Sequence, residues 1–188
     1  IAMGSIYALV TLGLALVYGI LRILHVAHAA VYTIGAYAGL LIFNLTGSLL
    51  LAFPGAMIVC AIIGVIIERF VYFPLLKYPP FVPLIASIAI LLCVEEACRL
   101  VAGPYILTFP AKLPFPDISL GGINISSTLL AVYVITALVL LILWYITTKT
   151  ELGLAMRAAS QDMEISGAMG INSHFIVSIT FVIGSAVA

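Results

Sequence analysis

Residues 23–67 read ILHVAHAAVYTIGAYAGLLIFNLTGSLLLAFPGAMIVCAIIGVII, and no Asp, Glu, Lys or Arg occurs among them. A membrane-spanning helix needs about 20 consecutive apolar residues. The stretch is therefore too long for one span and fits two spans joined by a turn. The expected turn is residues 44–48, NLTGS, because this is the only polar cluster within the stretch and its residue types favour turns.

The rest of the chain has the same character. Of its 188 residues, 65% are apolar and 7% are charged, whereas a soluble domain is about 25% charged. This composition excludes a soluble globular fold, a disordered chain and a nucleic-acid binder. The apolar runs are continuous rather than alternating, which is typical of helices and not of a membrane β-barrel. We predict a polytopic all-α membrane protein with about six spans, at residues 1–21, 28–46, 49–70, 82–101, 127–148 and 174–188.

The positions of Lys and Arg predict the orientation, because such residues concentrate in cytoplasmic loops. Five of the seven basic residues lie in loops 22–27, 71–81 and 149–173 or at the membrane edges of these loops. These three loops are therefore expected on the cytoplasmic side. Loops 44–48 and 102–126 are expected outside. The absence of an initiator Met and the apolar run at the end suggest a single transmembrane domain over 1–188 that is truncated at both ends.

The longest inner loop predicts an amphipathic helix over residues 151–171. Its apolar positions recur near helical spacing at Leu154, Ala158, Ile165, Ala168 and Met169, and its polar positions lie opposite. A helix lying on the lipid surface is the alternative, but such helices are rich in basic and bulky side chains. Docking into a cytoplasmic protein is therefore the favoured interpretation.

Polar residues next to or within the spans allow two interpretations each. His25 and His28 are either a metal or proton site, or interfacial histidines bonded to the backbone, and the second is favoured because no third ligand is near in sequence. Glu95, Glu96 and Arg99 are either a solvated network at the outer end of a span or a vestibule for the ammonium group of a zwitterionic substrate.

Three further features receive structural interpretations. Gly35 and Gly39 form a small-x-x-x-small pair, which permits close helix packing. The cysteines have no metal-binding spacing, and no metal site or bound cofactor is expected. The outer loop 103–126 is rich in proline, which disfavours a regular helix. It is either a solvated connector or a surface for a soluble external partner.

Four segments, in order along the chain, resemble the membrane permease subunit of branched-chain amino acid ABC importers. They begin with GSIYAL at residues 4–9 and YGI at 18–20, followed by HVAHAAVYTIGAY at 25–37. The third is IERFVYFPL at 67–75. The fourth comprises Arg157-Ala158, Asp162, Ala168 and Gly170-Ile171-Asn172, which resembles the family's coupling segment.

The resemblance implies a transporter subunit and not an enzyme. Such a permease pairs with a second permease, two cytoplasmic ATP-binding subunits and an external solute-binding protein, in a bacterial or archaeal plasma membrane. ATP hydrolysis is expected in the partner subunits, since the chain has no phosphate-binding loop motif. The resemblance assigns ATPase coupling to residues 151–171, namely Arg157, Ala158, Ala159, Asp162, Ala168, Gly170 and Ile171.

Two other function classes compete with an ATP-driven importer. A proton-coupled secondary transporter would use Glu95 or Glu96 as its proton-carrying carboxylate. An intramembrane enzyme is disfavoured, because no metalloprotease or nucleophile-elbow motif occurs in the sequence. The substrate stays open between branched-chain amino acids and other small polar solutes, such as urea.

Overall fold

The computed structural model describes residues 2–103, 118–120, 123–125 and 127–188. Five helices in this part are long and apolar enough to cross a membrane. They are α1 (Ala2–Leu21), α2 (His28–Thr46), α3 (Leu49–Ile67), α5 (Phe81–Ala102) and α6 (Ser127–Lys149). The sixth predicted span is α9 (Ser173–Val187), which is apolar but shorter. The predicted polytopic all-α membrane fold is confirmed, and the chain is a multi-pass membrane protein.

Gly47 closes the predicted turn between α2 and α3. Its φ of 67° lies in the left-handed region, which glycine adopts at little cost. Its N–H donates to Phe43 O at 2.8 Å and so ends α2. The chain then reverses, and α3 packs against α2.

The third span does not stay α-helical to its end. Residues Glu68–Tyr72 form a π-helical turn, and Phe73–Leu75 form the short helix α4. A π-turn is rare and often lies at a functional site. Here it buries both Glu68 and Tyr72, which are 4% and 1% exposed.

Four spans form the packed part of the structure. The helix α3 lies between α2 and α9, and α1 packs on α9 as well. Most of the buried side chains lie at the end of the bundle that holds residues 22–27 and the π-turn; examples are Val17, Val31, Ile67 and Phe181. The helix α5 makes fewer contacts, so its apolar side chains, among them Ile85, Leu92 and Leu100, are exposed in the single chain.

The predicted outer loop 103–126 lies mostly outside the described residues, which omit 104–117, 121–122 and 126. Within it, β1 (Ile118–Leu120) and β2 (Ile123–Ile125) form an antiparallel pair in which Ser119 is opposite Asn124. The sequence did not predict these strands.

The prediction of one helix over 151–171 is wrong. The segment forms α7 (Glu151–Gln161) and α8 (Met163–Ala168), separated by Asp162, whose backbone is extended. The Asp162 carboxylate accepts from the N–H groups of Glu164 and Ile165, both at 2.9 Å. Asp162 is therefore the N-cap of α8, and this hydrogen bonding replaces a continued helix.

The predicted orientation can be tested by thiol labelling in intact cells. We expect a membrane-impermeant maleimide to label Asn124→Cys, and to label Glu164→Cys only after the membrane is permeabilised. Cys60, Cys93 and Cys98 would first be replaced by serine, so that only the introduced cysteine can react. Labelling of Glu164→Cys in intact cells would reverse the assigned orientation.

Candidate functional site

The strongest candidate site is an exposed apolar surface on α7 and α8. Leu154, Ile165 and Met169 are 61%, 62% and 82% exposed, and Ala168 is exposed as well. We call these four residues the docking surface. Large exposed apolar side chains on an otherwise polar segment are typical of a protein contact. All four belong to the apolar stripe that was predicted from the sequence.

The opposite face of α7 is fixed to the membrane helices. Met156 and Ala159, which are 5% and 3% exposed, pack in a cluster with Ile20 of α1 and Ile176 of α9. A Cβ atom at Gly153 would collide with the carbonyl oxygens of Ile146 and Thr147, so α7 approaches the end of α6 closely. Leu154 of the docking surface is thus carried by a helix that is packed on the membrane bundle, and the other three residues follow on α8.

This packing distinguishes two residues that the resemblance grouped together. Ala158 is half-buried and lies next to the outer face, whereas Ala159 points into the cluster with Ile20 and Ile176. The structure therefore gives Ala159 an internal contact rather than one with a partner. A bulky residue there would overpack this chain itself, because the space is already filled.

Two arginines join α7 to neighbouring helices. Arg22 ends α1 with φ 54°, the one positive φ found at a non-glycine residue in the described part of the chain. Its Nη2 donates to Ser160 O at 3.3 Å, so it ties the end of α1 to α7. Arg157 is exposed, and its Nη1 donates to Thr147 O at the end of α6. The resemblance assigned Arg157 to ATPase coupling; within this chain it bonds to α6.

The segment that follows α8 leads directly into the membrane. Gly170 adopts φ 91°, a conformation that favours glycine, and the N–H of Ile171 donates to Ser166 O at 3.1 Å. Ile171 packs on the cluster under α7. Asn172 then caps α9 through a 3.1 Å hydrogen bond from the N–H of Phe175. A short, hydrogen-bonded connection therefore joins α8 to α9.

The helix α9 contacts the third span along its length. The rings of Phe73 and His174 lie 5.0 Å apart. Ser178 Oγ donates to Glu68 Oε2 at 3.1 Å. Farther along, a Cβ atom at Gly64 would overlap the hydroxyl group of Ser185. These contacts extend from the predicted cytoplasmic end into the bundle.

The two histidines lie in the core rather than at an interface. His25 and His28 are 0% and 2% exposed. His25 Nδ1 lies 2.6 Å from the Tyr72 hydroxyl group, within hydrogen-bond distance, and its ring packs edge-on against Phe181. The expectation of interfacial histidines bonded to the backbone is therefore wrong for His25. Burial, followed by the neighbouring His28 ring, lowers the pKa of His25 to about 3, so it stays neutral.

No metal centre is formed by the part of the chain that the structure describes, because it holds no group of three His, Cys, Asp or Glu side chains. The burial of His25 depends on Tyr72 and Phe181, which are remote in sequence. Sequence reasoning missed both partners, and the only available signal was that Tyr72 lies within the family-like segment 67–75.

The acidic pair in α5 is held by one arginine. Arg99 contacts Glu95 at 3.5 Å and Glu96 at 3.3 Å, and all three side chains are more than half exposed in this chain. Exposed ion pairs of this kind contribute about 0–1 kcal/mol. They form a surface network, and the described residues do not enclose them in a vestibule.

The glycines predicted for packing face α3. A Cβ atom at Gly35 would lie 2.6 Å from Cys60 Sγ, which is too close, whereas one at Gly39 would lie 3.6 Å from the Ala56 Cβ, an ordinary contact. Gly35 is thus the position that requires glycine.

Comparisons with known proteins agree over the whole chain. The model of a family described as "Branched-chain amino acid transport system / permease component" matches residues 1–188. The high-affinity branched-chain amino acid transport system permease protein BraD of Pseudomonas aeruginosa is 33% identical, over 100% of this chain and 66% of its own length. The corresponding protein LivH of Escherichia coli is 29% identical, over 100% and 65%.

A more distant relative differs in the solute that its name states. The galactofuranose transporter permease protein YtfT of Escherichia coli is 28% identical over 61% of this chain and 31% of its own length. The chain spans just under two thirds of the length of BraD and LivH. No solved structure matches it.

Proposed function

We propose, from the premise that the chain belongs to the family of branched-chain amino acid transport permease components, that it is the membrane-spanning part of an ATP-driven importer subunit. The importer resides in the cell membrane and takes up branched-chain amino acids or a similar small polar solute. The observation that carries this proposal is the docking surface, since a membrane protein that receives its energy from a cytoplasmic ATPase needs an exposed, rigid contact for it.

The partners follow from the same surfaces. Cytoplasmic ATP-binding subunits would cover the docking surface and move α7 and α8. The rigid packing of α7 on Ile20 and Ile176, and the short link from α8 to α9, would transmit that movement into the spans. A second permease subunit would cover exposed apolar side chains of the spans, such as those of α5. An external solute-binding protein would deliver the substrate.

The substrate class rests on the relatives. BraD and LivH carry branched-chain amino acid transport in their names, and both align with the entire chain. YtfT aligns with 61% of it and is named for a sugar. We therefore assign branched-chain amino acids first. The external binding protein would set most of the selectivity, because it selects the solute before the permease meets it.

The energy source distinguishes this function from proton-coupled transport. We expect membrane vesicles that contain the full-length protein, its ATP-binding subunits and its binding protein to take up L-leucine only when ATP is present. A protonophore should leave the initial rate unchanged. The variant Glu95→Gln/Glu96→Gln should keep at least half of that rate, because both carboxylates are exposed and bonded to Arg99.

Two other results would change this proposal in different ways. Uptake without ATP, driven by an imposed proton gradient and lost in the double variant, would replace the ATP-driven importer with a secondary transporter. Uptake of a different solute by the same ATP-dependent route would change only the substrate assignment.

A further inference from the structure

A small polar cavity lies at the predicted cytoplasmic end, between the π-turn and α9. It has a volume of about 230 Å³ and is lined by Glu68, Arg69, Phe73, His174 and Ser178. This volume is below the range of about 300–1,000 Å³ that is typical of drug-sized ligands. The cavity is separate from the docking surface and from the acidic pair in α5. None of its lining residues was assigned a role by the sequence.

The carboxylate of Glu68 lacks a counter-charge. The residue is 4% exposed, and Ser178 donates one hydrogen bond to it. Ion pairs within the described ranges involve only Arg99 with Glu95 and Glu96, so no cation of this part of the chain neutralises Glu68. A buried charge is costly unless it is paired, and charges within a span usually face a partner or a cavity.

The guanidinium group of Arg69 is available at the same cavity. Arg69 is exposed and forms no ion pair with the described residues. Arginine matches carboxylate and phosphate groups with two parallel hydrogen bonds. The cavity therefore offers a buried anion, a cation that can bind an acidic group, and an aromatic wall formed by Phe73 and His174, whose rings are 5.0 Å apart.

The geometry points to a binding site for a small zwitterion, whose primary ammonium group pairs with Glu68 and whose acidic group pairs with Arg69. Two sources supply this chemistry at the cytoplasmic end: a free α-amino acid, and the headgroup of phosphatidylethanolamine. The inference goes beyond the proposed function, because it concerns another surface and does not depend on the solute that is transported or on ATP.

Thermal unfolding of the full-length protein in lipid nanodiscs tests both sources, because a ligand that binds the folded state raises the midpoint Tm. In nanodiscs of phosphatidylcholine and phosphatidylglycerol, L-leucine would be added without ATP or binding protein. If the ligand is a free amino acid, Tm should rise saturably with L-leucine but not with 4-methyl-2-oxopentanoate, which lacks the ammonium group. If it is the headgroup, replacing phosphatidylcholine by phosphatidylethanolamine should raise Tm without L-leucine.

Substitutions assign the effect to the cavity. Glu68→Gln keeps the shape and removes the charge, and Arg69→Gln removes the guanidinium group and leaves a shorter, neutral polar side chain. Each variant should raise the ligand concentration that gives half of the maximal Tm shift at least tenfold. Glu95→Gln, which changes a carboxylate outside the cavity, should leave that concentration unchanged. Because Arg69 is exposed, its variant tests the site even if Glu68→Gln does not fold. A Tm that responds to neither probe, or a response that Arg69→Gln retains, would overturn the inference.

Discussion

Replacing Ile165 and Met169 together by aspartate is expected to abolish transport while the protein still inserts and folds. Both side chains are more than 60% exposed in this chain and touch no part of the membrane bundle's core. In the assembled importer they would be buried against the ATP-binding subunit. Two unpaired carboxylates buried in such a contact would carry a large desolvation cost and would therefore weaken the binding of the ATP-binding subunit.

The effect should appear first as lost association. We expect at least a tenfold loss of affinity between the permease and its ATP-binding subunit, which corresponds to about 1.4 kcal/mol. Co-purification and ATPase stimulation by the loaded binding protein measure it directly. Gln161→Asp is the control for each single substitution, Ile165→Asp and Met169→Asp, because it adds one negative charge to an exposed polar position of the same segment. A double variant that co-purifies and transports at the wild-type rate would show that this surface is not the ATPase contact.

Gly64→Ala should destabilise the protein strongly, although alanine is the better helix former. Propensity alone favours alanine over glycine by about 1 kcal/mol in a helix interior. At Gly64, however, the added Cβ atom would occupy the position of the Ser185 side chain, and Ser185 is fully buried. The helices α3 and α9 would have to separate, at a cost of about 1–3 kcal/mol.

The chain contains a matched control for this substitution. Gly39→Ala places the same methyl group 3.6 Å from the Ala56 Cβ atom, an ordinary contact. Gly39→Ala should therefore unfold at the wild-type temperature or slightly above it, and Gly64→Ala several degrees below. Thermal unfolding in detergent measures the difference. Equal midpoints for the two variants would show that α3 and α9 are not packed this closely.

Much of the helical fold was predictable because lipid imposes a simple rule. Charged residues are rare in the spans, so the gap between Arg22 and Glu68 and the turn at 44–48 placed α2 and α3 correctly. The break at Asp162 was harder to predict. Its neighbours favour a helix, and the cap forms because the carboxylate meets the free N–H groups of Glu164 and Ile165.

The candidate site was predictable in its outer face and not in its inner face. Periodicity selected Leu154 and Ile165, which are exposed, because an apolar stripe on a polar helix is visible in sequence. It could not show that Ala159 faces the bundle, since this depends on Ile20 and Ile176, which are remote in the chain. The cavity at Glu68 was invisible for the same reason: its residues come from two separate spans.

The π-turn at Glu68–Tyr72 also sets the angular phase of the third span. In a regular α-helix each residue advances by about 100°, so Gly64 and Phe73 would point in roughly opposite directions. The π-turn contains one more residue per turn than an α-helix, so each of its residues advances by a smaller angle. This difference rotates Phe73 back toward the direction of Gly64. Both therefore reach α9, at Ser185 and at His174. An ordinary α-helix with the same number of residues would swing Phe73 and everything after it off the face that α9 occupies, whereas deleting one residue from the turn would restore an ordinary helix and leave Phe73 facing α9.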